Sequence, residues 1–166
     1  MPGTNGANDS NASPSTVVLS AWNAQDLTID FGFVPAAGSG QGCTPGFWKQ
    51  PQHFDAWKWY TQTDMLDDVF GIQSKPFRST QNKNPSGALT LLDAIQLNGN
   101  GGAEQLFRHG TAALLNSVYQ SGVSYPYTAA QVIKMVRDAW LSGDASKIEA
   151  THLPFNAANE KGCPLN

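Results

Sequence analysis

A chain of 166 residues is long enough for one domain with a real hydrophobic core, or for one domain and an appendage. Only 14% of its residues are charged, the formal net charge is −3 and no basic run occurs, which excludes the surface that nucleic acid or an anionic membrane selects. No apolar run reaches the ~20 residues of a membrane span; the opening MPGTNGANDSNASPS has neither the charged start nor the apolar core of a signal peptide, so residue 1 is read as an added start or an internal fragment boundary.

Residues 1–15 read as a flexible tail of Asn, Ser, Pro and Gly, in which Asn8 and Asn11 open Asn-X-Ser acceptor triplets. The pattern then changes. Val17, Leu19 and Ala21 alternate with Thr16, Val18 and Ser20. Beyond a WNAQ turn, Leu27, Ile29, Phe31 and Phe33 alternate with Thr28, Asp30, Gly32 and Val34. Period two on both sides of a polar link predicts a β-hairpin over 16–34. A lone hairpin is marginal in water, and its open edges accept further strands. The apolar face at Val17, Leu19, Leu27, Ile29, Phe31 and Phe33 therefore predicts a contact with another domain, a neighbouring subunit or a helix. Residues 35–42, PAAGSGQG, read as a small-residue linker.

From Cys43 the signals are helical. Asp64 is a predicted N-cap of a short helix through Phe70, stopped by Gly71. After the polar loop GIQSKPFRSTQNKNPSG, Ser86 is the predicted cap of a helix carrying Leu89, Leu92 and Ile95 and ending at Asn98 and Gly99. In AEQLFRHGTAALLNSVYQSG, Phe107, Leu114 and Val118 lie near one face, widened by Leu106, Ala113 and Leu115. Gly110, which costs about 1 kcal/mol in mid-helix, is read as a point of close helix approach. Thr128 and Gln131 form a capping box with Tyr127 and Val132 as its staple. The helix that follows carries Val132, Ile133, Val136 and Trp140 and ends at Ser142 and Gly143. Asp144 opens a last helix, expected to be interrupted near Pro154.

Cys43 and Cys163 bracket this helical part. In an oxidising compartment they pair and close a loop of about 120 residues, worth about 4–5 kcal/mol in the chain-entropy model. In the cytosol they are two unrelated thiols. The bracketing favours the bond. Two cysteines cannot make a zinc site, and His53, His109 and His152 supply no familiar ligand spacing, so neither metal nor cofactor is expected.

The stretch GCTPGFWKQPQHFDAW and its continuation crowd Phe47, Trp48, Phe54, Trp57, Trp59 and Tyr60 together. One reading is a sugar-stacking platform on Trp48, Trp57 and Trp59. The other, preferred, is the packed corner where helices meet, since large aromatics dominate cores. Asp67 and Asp68 with Asp93, Glu104 or Asp138 could supply the carboxylate pair of a glycosidase, but thirteen acids produce such pairs by chance. No GxSxG elbow and no phosphate-binding glycine loop is present.

Two segments resemble known families. STVVLSAWNAQDLTIDFGFVP resembles the last hairpin of the B-type domain of serine-aspartate-repeat adhesins, an immunoglobulin-like sandwich. The segment from GCTPGFWK through RHGTAALLN to GCPLN is similar to a cysteine-bounded helical module of large bacterial surface proteins. These resemblances imply a location and an architecture rather than a chemistry. The adhesin sandwich often binds calcium, and no calcium-loop pattern remains here.

The expected fold is mainly α, a disulfide-clasped helical domain over 43–166 preceded by a β-hairpin (α+β overall). The expected function is a non-catalytic extracellular or cell-surface structural module of bacterial type. It would self-assemble through the hairpin into a filament or array, as a homo-oligomer or beside a neighbouring domain. A carbohydrate-binding module using residues 47–60 is the alternative, and a glycosidase a more distant one.

Overall fold

The computed structural model describes residues 40–73, 88–100, 102–119 and 123–165. The predicted tail, hairpin and most of the linker lie outside these residues, as do Val17, Leu19, Leu27, Ile29, Phe31 and Phe33. What is described is mainly helical and closed by a disulfide between Cys43 and Cys163.

Among the described residues six α-helices follow one another. Helix α1 spans Pro45–Trp48, and a 3₁₀ segment follows over Pro51–Ala56. Both starts are written locally. Thr44 caps α1 by accepting from the Phe47 amide at 3.2 Å, and proline occupies the first position of each, where a missing N–H costs nothing. Helix α2 spans Leu66–Phe70 and α3 spans Leu91–Ile95. They are tied by an isolated antiparallel bridge between Met65 and Thr90, with the Leu66 amide donating to the Leu89 carbonyl at 2.9 Å. Helix α4 spans Gly102–Val118, α5 spans Ala129–Ser142 and α6 spans Ala145–Asn159.

Helix α4 is the centre. Leu106, Phe107 and every residue from His109 to Asn116 are buried, so it is covered all round rather than along one stripe. Helices α6 and α5 take the largest shares of its surface, with α3 and α1 on the remainder. Gly110 is a point of close approach to α5. A Cβ built there would stand 2.7 Å from Val136 Cγ2, so the expectation of a close helix contact holds.

Helix ends follow their local chemistry where that chemistry is complete. Thr128 and Gln131 close the expected capping box of α5, and Asp144 caps α6 through the amides of Ser146 and Lys147. Gly71 and Gly143 end α2 and α5 with φ of 61° and 63°, the left-handed geometry that suits glycine.

Three expectations are corrected. Asp64 does not cap α2. Its carboxylate is taken by the Thr61 amide at 2.8 Å and the Thr61 hydroxyl at 2.6 Å, and Met65 stands at the cap position. The helix over 91–95 starts not near Ser86, which lies outside the described residues, but at Thr90, which shares a capping box with Asp93. Leu89 therefore precedes the helix, buried against the core. Helix α6 is not interrupted at Pro154 but runs through it. Burial of Ile148, His152, Phe155, Ala158 and Asn159 holds the helix across the missing N–H, so tertiary packing overrides local propensity.

Candidate functional site

The densest polar chemistry sits beside the disulfide. Asn116, fully buried on α4, accepts from the Cys43 amide at 2.8 Å and from Trp48 Nε1 at 3.2 Å through one oxygen. Its Nδ2 donates to the Cys43 carbonyl and to Asn159 Oδ1, both at 2.9 Å. Asn159 in turn accepts from the Tyr125 hydroxyl at 2.8 Å and donates to the His109 carbonyl at 3.1 Å. Two side-chain amides thus join α4, α6, the Cys43 backbone and the connection before α5. Burial raises the Tyr125 hydroxyl far above its usual pKa, so it remains a neutral donor. Gly42 completes this corner. It bridges Gly162 with an N–H to O distance of 3.2 Å, and a Cβ on it would stand 2.3 Å from the Ala158 carbonyl oxygen.

The aromatic stretch divides. Trp48 is fully buried and Trp57 only 8% exposed, whereas Trp59 is 75% exposed. Trp57 Nε1 donates to the Trp48 carbonyl at 3.2 Å. Phe47 meets Trp48 edge-on at 5.2 Å and stacks on His53 at 3.8 Å. The three tryptophans therefore do not form one platform: two are core rings with no face to offer a sugar, and only Trp59 faces solvent. Two of these rings belong to the packed corner because bulky aromatics fill the space between α1, the 3₁₀ segment and α4.

Four carboxylates are committed to structure. Asp93 sits in the α3 capping box, Asp64 holds Thr61, and Asp144 caps α6. Asp138 pairs with Lys134 and, at 3.8 Å, with Arg137. The hydrogen bond from Lys134 holds it below the usual carboxylate range. Among the described residues no three of His, Cys, Asp and Glu come together so as to hold a metal ion, and no helix is long and apolar enough to cross a membrane.

Sequence spacing does not reveal that His109 and His152 meet. Their rings stack across the contact of α4 and α6 with centroids 6.2 Å apart and planes at 24°. Both are buried, 7% and 5% exposed. His152 Nε2 lies 2.9 Å from Glu149 Oε2, yet the Nδ1 atoms of both histidines have no hydrogen-bond partner. Burial pushes His109 down to about 4, helped by the like charges of Arg108 and His152. Forty-three positions separate the two in the chain (152 minus 109), so only the helix packing joins them. A shallow groove of about 400 Å³ lies nearby between α5 and α6, with Met135 and Ala139 on one wall and Ala150 on the other.

Compared with known proteins, residues 43–163 match the family model described as Protodermal factor 1 C-terminal domain. The match begins and ends on the two bonded cysteines. No curated protein and no solved structure matches the chain. The family match overturns the resemblance to the helical module of bacterial surface proteins, and no adhesin B-type domain is found before it. A phrase such as LTIDFGF is too short to identify a family, because its alternation suits any half-buried strand.

Proposed function

The chain belongs to the Protodermal factor 1 C-terminal domain family, and on that premise we propose that residues 43–163 form a non-catalytic structural module of an extracellular or cell-surface protein. The observation that carries this reading is the disulfide joining the two ends of the matched segment. Such bonds persist in oxidising compartments and are rare where thiols are kept reduced. The commitment of Asn116, Asn159, Asp93 and Asp144 to packing and capping is further support. Thiol trapping in intact cells tests the compartment. Both cysteines are expected to resist alkylation until a reductant is added, and two free thiols in most of the protein would defeat the reading.

Within this reading the apolar alternation at Leu27, Ile29, Phe31 and Phe33 is the contact with a neighbouring chain, through burial of one face and pairing of a strand edge. Ile29→Asp and Phe31→Asp are expected to lower the mass seen by light scattering while the helical circular dichroism is kept. Unchanged oligomers in both variants, or a monomeric unmodified chain, would remove the hairpin as the contact. The carbohydrate alternative is supported by Trp59 alone, since Trp48 and Trp57 are buried.

A further inference from the structure

Helix α6 is held by two unequal halves. Its C-terminal half carries Phe155, Ala158 and Asn159, all buried, and leads to the Gly42 and Gly162 bridge and the disulfide. Its N-terminal half is mostly exposed, and only Ile148 and His152 are buried there. Ile148 meets α4 at Gly102, where a built Cβ would lie 3.1 Å from Ile148 Cγ2. His152 meets α4 at His109. Between the halves stands Pro154, whose missing N–H removes one of the backbone hydrogen bonds that would couple them.

We infer that His109, stacked on His152, is an acid-sensitive latch: with the His109 ring neutral, residues 145–152 lie closed on α4, and its protonation releases them about Pro154 while the disulfide retains the C-terminal half. The buried, unpartnered Nδ1 atoms are the basis. A proton added to His109 places a charge on a buried ring whose Nδ1 has no hydrogen-bond acceptor.

The surrounding charges do not offset a charge on His109. Arg108 on α4 and His152 on α6 both oppose a charge on His109. Glu149, the carboxylate nearest the pair on α6, is taken by His152 Nε2. Helix α5 meets α4 through Val136 at Gly110, and its exposed Lys134, Arg137 and Asp138 pair with one another. Tyr125 and Tyr127, in the connection before α5, are both shifted upward by burial and stay neutral.

The direction follows from linkage. A released His109 takes its proton near the ordinary histidine value of about 6.5, whereas the closed one takes it only at about 4. Between these values the open form binds more protons, so closure weakens as pH falls through this window and is fully present above it. Across the whole window the closed-to-open ratio drops on the order of a hundredfold or more. Release also removes a wall of the groove between α5 and α6, which Lys147, Ala150 and Thr151 supply.

Hydrogen exchange of the intact, oxidised full chain at pH 7 and pH 4.5, corrected for intrinsic rates, tests this. Protection over 146–152 is expected to fall at least tenfold more than protection over 156–159. In His109→Phe, a neutral ring of similar size, that difference is expected to vanish. Should the variant not fold, imidazole NMR of the unmodified chain serves instead: His109 should titrate near pH 4, with amide signals of 145–152 following the same midpoint. Equal loss across both halves, an unchanged pH response in His109→Phe, or a His109 midpoint near 6.5 would overturn the latch.

Discussion

Asn116 uses every hydrogen-bonding position of its side-chain amide: two donors reach the Cys43 carbonyl and Asn159, and the oxygen receives the Cys43 amide and Trp48 Nε1. Replacement by alanine leaves these buried groups unpaired, at about 1–3 kcal/mol for each one that finds no new partner. Asn116→Ala is therefore expected to cost about 3 kcal/mol or more in denaturant unfolding. Asn116→Asp is the sharper probe. It keeps the size but cannot donate to the Cys43 carbonyl or to Asn159 Oδ1, so it should destabilise by a comparable amount at neutral pH. A midpoint within error of the unmodified protein in either variant would show that the amide is not a structural link. Read as a sequence, Asn116 is one polar letter in RHGTAALLN. Nothing local marks it as buried, because its partners come from positions 43, 48 and 159.

At the scale of the element, the contact of α4 with α5 is set by Gly110 and Val136. Alanine at 110 would gain about 1 kcal/mol of helix propensity. It would also place a Cβ 2.7 Å from a fully buried, stiff Val136 side chain. Overpacking of this kind typically costs about 1–3 kcal/mol, so the clash wins. Gly110→Ala should lower the melting temperature, and adding Val136→Ala should recover part of the loss. Additive losses in the double variant would place the strain elsewhere. Helix boundaries show which signals are sufficient at this scale. Thr128 with Gln131, Asp144, Gly71 and Gly143 act within one turn, and each stands where its local chemistry puts it. Asp64 and Pro154 are different. Asp64 serves the turn before α2 rather than the helix itself, and Pro154 is carried inside α6 by the burial of its neighbours.

For the whole molecule the disulfide ties the ends of a segment whose core is built around α4. Its sequence separation of 120 corresponds to about 4–5 kcal/mol of lost unfolded-state entropy. Guanidinium unfolding with and without reductant, or in the paired variant Cys43→Ser with Cys163→Ser, should show a loss of that order. The buried amides of Asn116 and Asn159 would remain to hold the fold at lower stability. An unchanged midpoint after complete reduction would mean that the bond does not constrain the unfolded chain. Helix content, the bracketing cysteines and the packed character of Trp48 and Trp57 are legible in the sequence. The division of Trp48 and Trp57 from Trp59 is not, because ring exposure depends on what covers each ring.

By itself the chain's order of residues determined a mainly helical domain closed between Cys43 and Cys163, with the ends of α5 and the start of α6 placed by their own caps. Those features depend on neighbours within a turn, or on a pair of thiols that bracket everything between them. Only the tertiary structure decided that α4 is buried on all sides, that α6 continues through Pro154, and that His109 and His152 share one interface. Each of these arises where helices distant in sequence displace water from one another, and that choice of partner is written in no local pattern.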